Sequence, residues 1–278
     1  MNQKASSPVL YLVPTPIGNF QDMTFRAVEV LKSVDLIYAE DTRVTKVLLS
    51  HFNINTPLHS YHIFNEKVQI ETVLDNLQNK KNIALVSDAG LPGISDPGYL
   101  VVREAIAAGF NVVSLPGANA ALTALIASGL PTERFFFVGF LNSRSSQREK
   151  ELRQLQDYPE TLIFYEAPHR IAETLVSMHK VLGNRRVVIA RELTKKYEEY
   201  IRGTLDEIVA GNMELRGEIV IIIEGAKKTA TQETLNQLGI QEHFRYYLEQ
   251  GYPEKEAMKA VAKDRELSKS EIYKQIKT

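Results

Sequence analysis

The stretch from Ile83 to Gly98 reads IALVSDAGLPGISDPG. Its first four residues are apolar and too few for a helix, so they predict a short buried strand. Residues 90–98 hold three glycines and two prolines, which force a turn-rich loop. Two carboxylates, Asp88 and Asp96, belong to this loop. A glycine-rich loop at the carboxyl end of a strand is where α/β proteins usually bind ligands. The alternative interpretation is an ordinary connection between a strand and a helix.

The same strand–loop–helix unit recurs on both sides of this stretch. Short apolar runs at 9–13, 36–39 and 111–115 predict strands, and the run at 9–13 ends in the proline-rich loop 14–19. This alternation predicts a mostly parallel sheet covered by helices. The helix expected at 120–128 is apolar nearly all round, which predicts burial between two units. The pattern then restarts, with further strands expected at 135–140, 161–165, 186–191 and 218–224 and helices at 147–156, 171–182 and 205–210.

Composition narrows the class of protein. The chain has 278 residues, of which 44% are hydrophobic and 24% charged, as in ordinary globular proteins. It contains no cysteine, which excludes disulfides, cysteine-ligated zinc and a thiol nucleophile and suits a reducing cytoplasm. Residues 1–8 are polar, so we expect no signal peptide, and no apolar run approaches the ~20 residues of a membrane span. A net charge of -1 disfavours indiscriminate coating of nucleic acid.

Seven motifs carry a resemblance to a known family. In chain order they are VPTPIGN at 13–19, AEDTR at 39–43, VSDAG at 86–90, ISDPG at 94–98, LPG at 115–117, FYEAPHR at 164–170 and ARELTK at 190–195. Together they resemble the ribosomal RNA small-subunit methyltransferase I family of the tetrapyrrole methylase superfamily, over about residues 9–226. One departure is Leu91, which stands where the family pattern has a threonine; the missing hydroxyl would remove one contact to the cofactor.

The resemblance implies a fold and an activity. It implies two α/β domains of the tetrapyrrole methylase type, with S-adenosylmethionine in the cleft between them, followed by a small helical extension. We place these parts at residues 1–117, 118–228 and 229–278. It further implies a cytoplasmic homodimer that methylates the ribose 2′-oxygen of a cytidine in 16S rRNA of the small ribosomal subunit. The residues expected to bind the cofactor are Ile17, Ala89, Gly90, Leu91, Ile94, Asn119, Ala120, Tyr165, Glu166 and Leu193.

Methylation of a hydroxyl needs alignment of the reacting atoms and a base for the hydroxyl proton. We rank Asp96 first as this base, followed by Asp41, with Glu40 and His169 as further candidates; an Asp-Pro turn or a cap is the alternative role for Asp96. We expect four side chains to contact phosphates: Arg43, His169, Arg170 and Arg148. The alternative roles are an ion pair for Arg43, helix capping for His169 and Arg170, and a solvated helix face for Arg148.

Other functions stay open at this point. A related enzyme could act on a small tetrapyrrole or a protein side chain, and a noncatalytic S-adenosylmethionine sensor could keep the same motifs. The stretches 39–43 and 165–170 favour the RNA family over the first alternative. We expect no metal, because His51, His59 and His62 are too scattered and the reaction needs none. The polar helical tail is expected to assist recognition of RNA or of the subunit.

Overall fold

The computed structural model describes residues 7–211, 215–227, 230–265 and 267–277. The described residues form two compact units, which are divided between Gly225 and Ala226. The first unit contains two five-stranded sheets and the second contains only helices among its described residues. The fold class predicted from the sequence is therefore confirmed. The boundaries predicted at 117/118 and 228/229 stay predictions.

The first sheet is parallel throughout, with strand order β3-β2-β4-β1-β5. Its central strand β4 is the apolar run that precedes the glycine-rich loop, and all four of its residues are buried. Parallel strands end at the same edge of a sheet, so the loops after β1, β2 and β4 meet there. The strands are β1 (Val9–Val13), β2 (Leu36–Ala39), β3 (Leu58–Ser60), β4 (Ile83–Val86) and β5 (Asn111–Ser114).

Helices cover both faces of this sheet, as parallel strands require. On one face α1 and the end of α2 pack against the strands through Ala27, Leu31 and Leu49. On the other face α3 and α4 pack through side chains such as Leu77 and Val101. The helices are α1 (Phe25–Ser33), α2 (Thr42–His51), α3 (Glu66–Gln78) and α4 (Tyr99–Ala107).

The second sheet is mixed, and here the expectation of mostly parallel pairing is wrong. Strands β6 and β7 are parallel, but β10 runs antiparallel to both of its neighbours, and β9 pairs antiparallel with β8 at the edge. Strand β10 is IVIII and wholly buried, so its composition resembles that of a parallel strand whatever its direction. The strands are β6 (Phe135–Phe140), β7 (Thr161–Glu166), β8 (Arg186–Arg191), β9 (Glu199–Thr204) and β10 (Ile219–Ile223).

The second sheet is also covered on both faces. Three helices bury one face: α6 (Ser145–Leu155), α7 (Ile171–Leu182) and α8 (Leu205–Ala210). The opposite face is packed by α5 (Ala120–Ser128) through Ala124 and Leu125. The expected burial of α5 on all sides is wrong, because Leu122 is exposed and Ile126 is 76% exposed. One apolar flank of this helix therefore faces solvent.

The second compact unit consists of α9 (Ala230–Gln237), α10 (Ile240–Glu249), α11 (Glu254–Arg265) and α12 (Lys269–Lys277). Its small core includes Phe244, Val261 and Ile272. His243 and Asp264 are buried beside this core, with 3.1 Å between His243 Nε2 and Asp264 Oδ2. In the described parts of the chain no helix has both the length and the hydropathy to cross a membrane.

Candidate active site

A cavity of about 480 Å³ lies where the strand-end loops of the first sheet face the second sheet. The residues predicted to bind the cofactor are far apart in the sequence, yet all ten of them line this cavity. They come from the loops after β1, β4 and β8, from the end of β7 and from the start of α5: Ile17, Ala89, Gly90, Leu91, Ile94, Asn119, Ala120, Tyr165, Glu166 and Leu193. Asp96, the first-ranked base, lines it as well.

The backbone of the glycine-rich loop is fixed by a short antiparallel bridge to the loop after β1. Thr15 N–H donates to the Gly90 oxygen at 2.9 Å, and Gly90 N–H donates to the Thr15 oxygen at 3.0 Å. The Ser87 hydroxyl donates to the same Gly90 oxygen at 3.0 Å. Gly90 has φ +85°, a conformation that glycine adopts without strain. The loop therefore presents a rigid backbone to the cavity.

Leu193 is held in the cavity wall by an unusual backbone. Both of its neighbours have left-handed conformations, with φ 52° at Glu192 and φ 66° at Thr194. Such conformations are costly for residues with side chains and persist where the surroundings enforce them. The Glu192 carboxylate accepts from Lys195 Nζ at 2.9 Å and from the Glu218 N–H at 3.2 Å. These bonds stabilise the turn that directs Leu193 inward.

Three of the carboxylates that line the cavity lie close enough to interact: Glu40, Asp88 and Asp96. Burial raises the pKa of Asp96 to about 7, and the nearby charges of Glu40 and Asp88 contribute in the same direction. Burial also raises the pKa of Glu40 and of Asp88. Asp88 is further held by the Asp41 N–H, which donates to its Oδ1 at 2.9 Å. This part of the cavity favours positive charge, and Asp96 can exchange a proton near neutral pH.

Asp41 is not among the residues that line the cavity. It caps α2 by accepting from the Arg43 N–H at 2.8 Å, and its carboxylate pairs with the Arg43 guanidinium at 2.6 Å. Hydrogen bonds from Arg43 lower the pKa of Asp41 to about 2. A carboxylate whose ionised form is stabilised in this way is a weaker base, and the catalytic role of Asp41 stays a prediction. The Arg43 side chain is 89% exposed and remains accessible to a ligand.

Glu166 is buried at the end of β7, and its carboxylate organises the FYEAPHR segment. One oxygen accepts from Arg170 Nε and from the Ala167 N–H, and the other accepts from the Thr174 hydroxyl at 2.6 Å. Arg170 also donates to the Leu141 oxygen at 3.1 Å. Arg170 thus stabilises the cavity wall, and its phosphate contact stays a prediction. His169 is exposed beside Pro168, which lines the cavity.

Arg148 corrects the prediction that its side chain contacts a phosphate. Its side chain is 2% exposed. The guanidinium donates to the Ser177 hydroxyl at 3.0 Å and to the Ser143 oxygen at 3.2 Å, and it lies 3.7 Å from a Glu173 carboxylate oxygen. Contact with an RNA phosphate is incompatible with this position, because the guanidinium is buried and already hydrogen-bonded inside the protein. The spacing of basic residues in the sequence gave no sign of this burial.

The sequence interpretation did not include Phe140 or residues 217–220, which also line the cavity. Phe140 ends β6, so its position at a strand end was a usable signal. Residues 217–220 lie at the beginning of β10, and only the antiparallel direction of that strand brings them to this edge. Among the described residues, no group of three or more His, Cys, Asp or Glu side chains is arranged to hold a metal ion.

Comparison with known proteins identifies the family. Residues 9–209 match the Tetrapyrrole (Corrin/Porphyrin) Methylases. The chain is 51% identical to ribosomal RNA small subunit methyltransferase I of Bacillus subtilis (strain 168), over 98% of this chain and 95% of the relative. It is 44% identical to the protein of the same name from Synechocystis sp., over 95% of this chain and 96% of the relative. The chain belongs to the tetrapyrrole methylase family and, within it, to the family of ribosomal RNA small subunit methyltransferase I.

Solved structures share the fold at low sequence identity. Uroporphyrin-III C-methyl transferase from Thermus thermophilus, complexed with S-adenyl homocysteine, matches with a TM-score of 0.55 and 20% identity, over 78% of this chain and 97% of that chain. A diphthine synthase matches with a TM-score of 0.61 and 12% identity, over 78% of this chain and 90% of that chain. These two enzymes therefore share the fold of this chain.

Proposed function

We propose that this protein transfers a methyl group from S-adenosylmethionine to RNA of the small ribosomal subunit. The observation that supports this most directly is the convergence of Gly90, Leu193 and Asp96 on one cavity in a chain of this family. The acceptor is the ribose 2′-oxygen of a cytidine in 16S rRNA. A small tetrapyrrole or a protein side chain as acceptor, or a noncatalytic sensor, remain the alternatives that the test below separates.

The cavity has the size and chemistry to hold S-adenosylmethionine. Its volume of about 480 Å³ lies within the range of small-molecule sites, about 300–1,000 Å³. The open backbone at Gly90 leaves space that a larger residue would fill, and Ile17 and Leu193 supply apolar surface. The carboxylates of Glu40 and Asp88 favour the positive charge of a sulfonium. The bound cofactor supplies a methyl group whose leaving thioether is uncharged and needs no proton.

Asp96 is the group that prepares the acceptor. A ribose hydroxyl is a weak nucleophile until its proton is removed, and a base with a pKa near the working pH is the most effective. The pKa of Asp96, about 7, meets that requirement. Its carboxylate takes the hydroxyl proton while the oxygen gains the methyl group. Ser95, the residue before it, has a left-handed conformation with φ 63°, which fixes the direction of the loop.

The test uses small ribosomal subunits that lack the modification and S-adenosylmethionine labelled in its methyl group. Alkaline cleavage of RNA requires a free 2′-hydroxyl, so a methylated ribose protects the next linkage. The label is expected in a dinucleotide after alkaline digestion. Label in a mononucleotide would mean methylation of a base. Label in protein or in a tetrapyrrole, with none in RNA, would refute the proposed function.

We also propose that the protein acts in the cytoplasm as a homodimer. Support for the dimer comes from α5, whose Leu122 and Ile126 are exposed while Ala124 and Leu125 are buried against the second sheet. Light scattering should give twice the mass of one chain, and Ile126→Glu should reduce it to one chain. A wild-type protein that stays at one chain at micromolar concentration would contradict the dimer.

A further inference from the structure

A tight turn after β3 exposes two large apolar side chains. The Asn65 side chain accepts from the His62 N–H at 2.8 Å, and the Asn65 and Glu66 N–H groups both donate to the His62 oxygen at 2.9 Å. Ile63 and Phe64 lie between these residues and are exposed, Phe64 to 93%. The turn is thus closed by its own hydrogen bonds while its apolar side chains lie in solvent.

The turn is anchored to the loop that carries Asp96. Glu66 is buried, and its Oε1 accepts both from the Tyr61 hydroxyl at 2.9 Å and from the Gly98 N–H at 3.1 Å. Gly98 follows Asp96 by two residues. The Tyr61 N–H also donates to the Ala39 oxygen at 2.7 Å, directly before Glu40. Phe64 is therefore presented on a backbone fixed relative to the carboxylates of the cavity.

The residues on either side of the turn are hydrogen-bonded to segments that line the cavity. Glu66 accepts from Gly98, which follows Asp96 by two residues, and Tyr61 donates to Ala39, which precedes Glu40, so we place the turn at the rim of the cavity. The rings of His62 and Phe64 are 6.0 Å apart between centroids. The exposed Arg43 follows Glu40 by three residues. The rim thus carries an aromatic ring and a cation outside an acidic cavity.

We propose that Phe64 stacks on an RNA base next to the nucleotide whose ribose enters the cavity. This inference rests on the proposed function. Sequence-specific RNA enzymes bind unstacked bases on aromatic rings and phosphates on cations. Phe64 and Arg43 supply these two kinds of group on one rim, while the carboxylates inside the cavity keep phosphates outside it. With a base for the aromatic ring and a phosphate for the cation, an RNA nucleotide fits this rim better than an apolar protein segment does.

The first test compares Phe64→Ala, Phe64→Tyr and Phe25→Ala on the unmodified subunits. Phe25 is a matched control, because it is 92% exposed and begins α1, none of whose residues line the cavity. Loss of one stacked base corresponds to a rise in KM of about 5- to 150-fold. We expect that rise for Phe64→Ala alone, with S-adenosylmethionine affinity unchanged by calorimetry and near-normal KM for Phe64→Tyr. A KM for Phe64→Ala within twofold of wild type would overturn the proposal.

The second test identifies the partner of the ring. Subunits are reconstituted with 16S rRNA that lacks the base on either side of the methylated nucleotide. With one of these two RNAs, Phe64→Ala should not raise KM beyond the rise that the missing base causes in the wild-type enzyme, because both changes remove the same contact. Additive losses with both RNAs would place Phe64 against a ribosomal protein and overturn the stacking. The wild type provides the separate check: without label in RNA, the proposed function itself fails.

Discussion

Replacing Asp96 by asparagine tests the base directly. Asparagine is nearly isosteric, so the loop and the cavity keep their shape, but the amide cannot take the hydroxyl proton. Loss of a general base reduces turnover by about 10²- to 10⁴-fold. S-adenosylmethionine affinity should change little by comparison. The assay is the initial rate of label transfer to unmodified small subunits at saturating cofactor.

The pH dependence gives the sharper magnitude. With a pKa of about 7, Asp96 is about 9% ionised at pH 6 and about 91% at pH 8. The base acts only when ionised, so kcat/KM should rise about tenfold between these pH values and then level off. Glu40→Gln removes a charge that raises the pKa of Asp96, so the midpoint of the rise should move to lower pH.

Two results would refute this reasoning. Turnover of Asp96→Asn within threefold of wild type would reduce Asp96 to a turn residue. A flat profile from pH 6 to pH 8 in the wild-type enzyme would mean that no group with this pKa limits the reaction. Circular dichroism and calorimetry on each variant show whether the fold and the cofactor site are intact.

Three further predictions concern the cofactor loop, the buried arginine and the tail. Gly90→Val should abolish S-adenosylmethionine binding in calorimetry. The control Gly109→Val should keep that binding, because Gly109 has a similar φ of +83° but open surroundings. Equal affinities of the two variants would place the cofactor elsewhere. Arg148→Ala should lower the free energy of unfolding in urea by about 2–4 kcal/mol, because the Arg148 side chain makes a buried hydrogen bond. Arg144 is exposed, so Arg144→Ala should lower it by less than about 0.5 kcal/mol. Similar losses for the two variants would contradict the structural role of Arg148. A protein of residues 1–225 should bind the cofactor normally. In filter binding, its affinity for small subunits should be lower than that of the full chain and should fall less steeply as the salt concentration rises. Unchanged affinity for subunits would make the tail structural.

The sequence by itself determined much of the fold. Strands 9–13, 36–39 and 186–191 and helix 171–182 have the predicted bounds, because their apolar periodicity is strong and glycine, proline or polar residues end them. Strand β9 was missed because it is a polar edge strand with a weak pattern. The direction of β10 was not predictable either, because a fully buried strand has the same apolar composition in parallel and antiparallel sheets.

For the candidate site, too, some features followed from the sequence and others only from the tertiary structure. The motifs and the family resemblance selected ten of the residues that line the cavity, since glycine-rich loops at strand ends are visible in the sequence. The properties of individual charges depended on tertiary structure. Asp41 and Asp96 are both loop aspartates, yet the pKa of one is lowered to about 2 by Arg43 and that of the other is raised to about 7 by burial. Arg148 is interior for the same reason: burial and charge partners arise from residues distant in the chain, and local spacing carries no record of them.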